Sequence, residues 1–486
     1  MVFTKQIMVF NSIQFLVFLP IVFLLYWLVF KPVKWQNALI VVASYVFYGW
    51  WDWRFLTLIA FTSICTYASG VMIERHREQG KLISAVNIVV NLLILGFFKY
   101  FNFFTESFAD AMSSLGWHCD APTLNIVLPV GISFYTFQAL SYSIDVYRKK
   151  LDASHSLIDV MAFISFFPQL VAGPIERATK LLPQIQQPRT FSPKEATDGM
   201  RQMLWGLFKK MIVADTCGMI VDRLWEDAAS QTGFALMLGG VLFAFQIYAD
   251  FSGYSDIAIG CARLFGIDLT TNFKVPYFSR SMREFWRRWH ITLMNWFTEY
   301  VYFPLGGSRG SKGKTLLNTF ILFALSGLWH GANWNYVVWG LYNAVLFVPL
   351  IVFNSGRYRD TVASGRMLPS LKEVGLILMT FVMTVLGMII FRAPSMAELG
   401  VYLSTMFSSS LLKVGFGYEI KVALVYSAVM LIVEWIYREK RFALDFGDSP
   451  TGIVRHRWVR WTIYVVLFVF TVLMSGLHSN FIYFQF

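Results

Sequence analysis

Long stretches with almost no charge recur along this chain from end to end, and a run of about 20 such residues suits a bilayer better than a soluble core. Twelve can be placed, at roughly 8–30, 36–52, 55–72, 82–100, 124–145, 202–222, 234–262, 315–331, 333–353, 373–392, 421–437 and 460–477. In hydrocarbon a segment must satisfy its own backbone polar groups, so each run is expected to be helical. Charged residues make up 14% of the 486 residues, against about 25% in soluble domains. The expected fold is an all-α polytopic membrane protein of about 12 transmembrane helices, organised as a single membrane domain over 1–486.

Two stretches break the pattern. Residues 158–173 are apolar but short and end in Gly173-Pro174, which suggests a re-entrant or interfacial segment whose turn is shaped by Gln169, Gly173 and Pro174. Residues 281–303 are charged and Trp-rich. They read as an amphipathic helix at the interface or dipping into the bundle. The apolar run from Met8 to Phe30 is too long for the core of a signal peptide and is followed by Lys31 and Lys34, so it is expected to remain as the first span. Cys65, Cys119, Cys217 and Cys261 are scattered, with neither zinc nor disulfide spacing.

A net charge of +12 would suit nucleic acid, but its placement argues for lipid. With the N-terminus outside, all but seven of the 41 Lys and Arg residues fall on the cytoplasmic side of the twelve spans. The loop 101–127 has none. The basic excess therefore marks the cytoplasmic leaflet and its anionic lipid, and no nucleic-acid partner is expected. Loop 438–460 is cytoplasmic by this count. The last span, within 460–486, therefore ends in an extracytoplasmic aromatic tail, and both termini lie outside.

Ionisable side chains inside such a chain are expensive and mark candidate sites. His330 lies in Ser326-Gly327-Leu328-Trp329-His330-Gly331-Ala332-Asn333-Trp334, where the small neighbours would let a substrate or another backbone come close. A core histidine bonded between helices is the plainer alternative. His290 closes Phe285-Trp286-Arg287-Arg288-Trp289-His290, a segment that would also suit lipid headgroups. Asp250 and Asp256 flank Phe251-Ser252-Gly253-Tyr254-Ser255. There the glycine suggests a helix break lining a cavity, and capping or salt-bridging to the Arg-rich segment is the alternative.

These segments, with Leu128-Pro129-Val130-Gly131-Ile132-Ser133-Phe134-Tyr135-Thr136-Phe137 and Phe167-Pro168-Gln169-Leu170-Val171-Ala172-Gly173-Pro174, resemble the signature of the membrane-bound O-acyltransferase family. The likeness covers nearly the whole chain and is nearest to the bacterial branch that acylates exported polysaccharide. It implies an enzyme of the bacterial cytoplasmic membrane, an O-acetyltransferase. His330 and His290 would be catalytic, with His330 as general base. Arg287, Arg288 and Trp286 would form the donor entrance, and Asp250, Trp329 and Asn333 would line the cavity. Acetyl-CoA, or an acyl-carrier thioester, would be the donor substrate, with no tightly bound cofactor and no metal. An esterase-like (SGNH-type) extracytoplasmic transferase would pass the acyl group on.

The terminal Phe481-Ile482-Tyr483-Phe484-Gln485-Phe486 reads as an interfacial aromatic anchor. The resemblance implies a second reading, Tyr483 as acyl carrier, since a base can activate a phenol. Other readings stay open: D-alanyl transfer to teichoic acid from a carrier protein, a lipid or protein acceptor, a secondary transporter, or a membrane scaffold. The two halves look unlike each other, which weighs against a transporter. No Walker A motif is present.

Overall fold

The structure is a computed structural model that describes residues 8–117, 123–415, 417–447 and 452–474, and the described residues are helical with no strand. They fall into two compact units: Met1–Ala196 with Cys261–Thr270, and Thr197–Gly260 with Thr271–Phe486.

Five helical stretches are long and apolar enough to cross a membrane: Val33–Arg75, Arg77–Ser114, Gly233–Leu264, Trp334–Val352 and Leu371–Arg392. The first contains two helices, Val33–Asp52 and Leu56–Arg75, joined by a single tight turn. Asp52 ends the first of them by accepting the Arg54 backbone N–H at 3.0 Å. The other expected spans appear as shorter or more polar helices, including Ile13–Leu24, Ile132–Tyr147, Lys312–His330, Tyr418–Ile436 and Arg457–Leu473.

In the first unit two boundaries differ from expectation. The run at 124–145 becomes helical only at Ile132, because Gly131 adopts φ +75° and a Cβ there would lie 2.5 Å from the Leu170 carbonyl oxygen. The run at 82–100 continues as Gly80–Ser114, 35 residues or about 52 Å, well beyond a hydrocarbon core of about 30 Å. The 158–173 stretch forms two buried helices, Leu157–Ser165 and Phe167–Leu170, separated by a non-helical Phe166. Phe167 packs among Phe18, Phe47 and Phe265, with ring centroids 5.3–5.8 Å away. Asn37 ties the first of these helices down by donating to Asp159 Oδ1 at 2.8 Å, while accepting from Arg189 at 2.6 Å.

The second unit is arranged around Gly233–Leu264, which runs unbroken for 32 residues. No break occurs at Gly253. The glycines serve instead for close approach to the helix Pro193–Phe208 and the turn that follows it. A Cβ on Gly253 would stand 2.7 Å from the Gly206 carbonyl oxygen, and one on Gly260 2.4 Å from that of Gly199. The partners are seven residues apart on each helix, two turns, so the backbones touch twice along one seam.

Beside that seam runs the wider, π-type turn Lys209–Ala214. Lys209 Nζ meets Asp256 at 2.6 Å and donates to Ser252 Oγ at 2.9 Å. Lys210 Nζ lies 2.9 Å from both Asp250 and Asp215. The Tyr248 hydroxyl donates to Glu434 at 2.8 Å, and Glu434 lies 3.7 Å from Lys209. The partners of Asp250 and Asp256 are therefore these two lysines and not the Arg-rich segment. Charges cannot stay unpaired in an apolar interior, and the glycine seam carries Lys209 and Lys210 against these carboxylates. Removing one partner strands the others. Lys210→Met is expected to destabilise the protein by about 3–5 kcal/mol, read as a large drop in its thermal unfolding midpoint in detergent.

Candidate active site

The segment 281–303 does not form one amphipathic helix. It breaks into Met282–Trp286 and Ile291–Phe297, and the break falls at His290, with φ +45° and ψ +50°. A non-glycine residue in this left-handed region carries a backbone cost of about 1–3 kcal/mol and persists only where its surroundings fix it. Here they do. The Lys274 N–H donates to the Arg288 carbonyl and the Ile291 N–H to the Asn272 carbonyl, both at 2.9 Å, stitching the turn to residues 272–274. Ser281 caps the short helix before it, accepting the Glu284 N–H at 3.1 Å. Fully buried Glu284 is gripped by Arg280 at 3.1 Å and Arg288 at 2.8 Å.

His330 is the last residue of Lys312–His330, whose path is set by the next helix, Trp334–Val352. A Cβ on Gly327 would lie 2.2 Å from the Tyr336 carbonyl oxygen, and one on Gly340 2.3 Å from that of Phe323. Of the small residues beside His330, Gly327 therefore admits a neighbouring backbone and Gly331 the Tyr336 ring. Edge-on aromatic rings enclose the imidazole, with Trp329, Trp339 and Phe391 centroids 5.0, 5.1 and 5.3 Å away. His290 lies against Phe251 at 4.6 Å and Trp329 at 5.9 Å. The two imidazole centroids are 6.3 Å apart, and the residues are 1% and 6% exposed. That spacing is too long for a direct hydrogen bond between the rings. Segment 281–303 lies outside the spans, and there burial first, and the His330 ring second, hold the His290 pKa below its ordinary value. The ring is therefore neutral and able to accept a proton.

Next to this pair lies a cavity of about 1020 Å³ lined by Arg283, Arg287, Lys312, Arg357 and Arg359 together with Trp286, Ile291, Leu322, Phe323 and Phe347. No acidic side chain contributes to its lining. Burial first and Arg357 second lower the pKa of Arg283. Arg287 is lowered by burial first, opposed by Glu284 and reinforced by Arg288, Arg280 and Arg359. Like charges gathered this way favour a polyanion, and arginine suits phosphate in particular. Trp286 connects cavity and histidines, since its ring lies 5.7 Å from Trp339, which in turn packs on His330.

The structure thus brings together His330, His290, Trp329, Trp286 and Arg287. Three expected participants lie elsewhere. Arg288 is spent on Glu284, Asp250 is buried on Lys210, and Asn333 donates to the Pro394 carbonyl at 2.9 Å. Tyr483 lies outside the described residues. Sequence reasoning missed Arg357 and Arg359, because loop cations were counted only as orientation signals, and it missed Asn272, which belongs to no recognised motif. Among the described residues no group of three His, Cys, Asp or Glu side chains is placed to hold a metal ion. Cys217 and Cys261 are buried free thiols.

Residues 45–389 match MBOAT, the membrane-bound O-acyltransferase family. The chain is 40% identical over 407 residues to the probable alginate O-acetylase AlgI of Pseudomonas aeruginosa, covering 82% of this chain and 75% of that protein. It is 36% identical over 467 residues to the probable alginate O-acetylase AlgI of Azotobacter vinelandii, covering 92% and 90%. It is 32% identical over 372 residues to the peptidoglycan O-acetyltransferase of Helicobacter pylori, covering 70% and 69%.

The glycine crossing yields a test of the geometry. Gly327→Ala forces a methyl against the Tyr336 carbonyl and should cost about 1–3 kcal/mol by overpacking. A lowered thermal midpoint in the purified protein checks it.

Proposed function

The chain belongs to the membrane-bound O-acyltransferase family and is an integral membrane acyltransferase, and from that premise we propose that it moves an acetyl group from a cytoplasmic thioester toward an exported polysaccharide. The observation that carries this reading is the acid-free cationic cavity beside the histidine pair. Acetyl-CoA brings several phosphate charges on a long arm, and the five cations suit them. The thioester carbon then lies by His330 and His290. His330 takes the proton of an attacking hydroxyl as the new C–O bond forms. The C–S bond breaks, and the proton passes to the departing thiolate. No cofactor need remain bound.

In this reading the protein has twelve spans, lies in the bacterial cytoplasmic membrane and keeps both termini outside. The cavity then opens on the basic, cytoplasmic side. The acyl acceptor is Tyr483 on the extracytoplasmic tail, and an esterase-like partner transferase receives the group from it. The names of the relatives, alginate O-acetylase and peptidoglycan O-acetyltransferase, support a glycan as final acceptor.

Acyl capture tests the chemistry. Purified protein in nanodiscs with acetyl-CoA is expected to show an acetyl adduct on the C-terminal peptide by mass spectrometry, lost in both Tyr483→Phe and His330→Ala. Coenzyme A release only when an external acceptor is added would mean direct transfer and would remove Tyr483 from the mechanism. A second experiment addresses the donor. Arg357→Glu removes one charge-assisted contact of about 1.5–3 kcal/mol, so KM for acetyl-CoA should rise roughly tenfold or more with kcat largely kept.

A further inference from the structure

Asn272 is 0% exposed and takes part in neither the cavity lining nor any ion pair. Its carboxamide orientation is fixed by its neighbours. The side-chain oxygen accepts the Thr292 backbone N–H at 3.3 Å and the Thr292 hydroxyl at 2.9 Å. A backbone N–H can only donate, so that atom is the oxygen. The amide nitrogen donates to Ser255 Oγ at 3.3 Å. The same oxygen lies 3.3 Å from His290 Nδ1. A carbonyl oxygen can only accept, so Nδ1 carries the proton, and in a neutral ring Nε2 then carries the lone pair. That Nε2 is buried and has no hydrogen-bond partner among the described residues.

We propose that Asn272 is a positioning residue of the acyl-transfer site: it holds His290 as the Nδ1–H tautomer and so presents Nε2 as a second acceptor beside His330, for an O–H or N–H of a bound reactant. The arrangement is consistent along the chain. The Asn272 carbonyl holds the turn at Ile291, its side chain holds the ring, and the left-handed backbone at His290 directs both. An unsatisfied buried acceptor is costly, and a donor that arrives relieves that cost. Two donors suit the site. One is the attacking hydroxyl, and the other is the amide N–H of a thioester arm near its sulfur. The groups facing His290 are Phe251, Phe273, Trp329, Asn272 and the titratable His330.

The proposal rests on the acyltransferase reading for its kinetic test but not for its structural one. Protein labelled with 13C-histidine reports the tautomer directly, the His290 signal being assigned by its loss in His290→Gln. The wild type should show Nδ1–H, and Asn272→Leu should lose that preference. An Nε2–H tautomer in the wild type overturns the proposal whether or not acetyl-CoA is turned over. In kinetics, Asn272→Leu should lose at least tenfold in acetyl transfer. Asn272→Asp keeps the acceptor and should retain more activity. Its carboxylate favours the imidazolium, which cannot accept, so the acid limb of the rate profile should move to higher pH. A loss in kcat points to the hydroxyl as the bound donor, and a rise in KM for acetyl-CoA points to the thioester arm. An Asn272→Leu enzyme with wild-type rate and profile, or an acid limb unmoved in Asn272→Asp, refutes the proposal. Absence of turnover in the wild type counts against the proposed function alone.

Discussion

A charge or an open hydrogen bond in an apolar interior must find a partner, and most of the second unit can be understood as answers to that demand. Lys209 and Lys210 answer Asp256, Asp250 and Asp215. Arg280 and Arg288 answer Glu284. These pairs fix the frame. Against that background the cationic cavity stands out because its lining has no acid, and His290 Nε2 because it is buried beside His330 with no hydrogen-bond partner among the described residues. His290 faces His330 directly, Trp286 leads from the cavity to it through Trp339, and both places would be satisfied by reactants.

How the glycines are used follows from the same demand. Helices in lipid gain little from hydrophobic contact with each other, so they associate by close packing. Gly199, Gly206, Gly253 and Gly260 bring two backbones together along one seam, and Gly327 and Gly340 do the same behind His330. The polar pairs can be short because the seam brings their helices close.

Much of this was legible from the residues. Hydropathy located the helices because apolar length maps directly onto the bilayer, and the family likeness carried by five motifs holds. His290 and His330 stood out because an ionisable ring is conspicuous among apolar neighbours. What sequence could not show was pairing between distant residues. Asp250 and Asp256 were visible, but nothing local pointed to Lys209 and Lys210, some 40 residues earlier. Gly253 read as a break because a glycine suggests flexibility, when it served contact. Arg287 and Arg288 are adjacent and looked equivalent. Neighbouring residues in a tight turn face different ways, so one lines the cavity and the other holds Glu284. Asn272 carried no signal at all, since its role depends on a fold that returns it to His290.

The glycine seam also bears on how cargo crosses. Rotating either helix by one residue would replace a glycine with a side chain where no space exists, and sliding by less than two turns would do the same. The joint therefore resists the rocking that carriers use to expose a site first to one side and then to the other. The proposed function asks no more of such a frame, because in it only a two-carbon fragment, stripped of the nucleotide that brought it, has to be handed across a stationary wall.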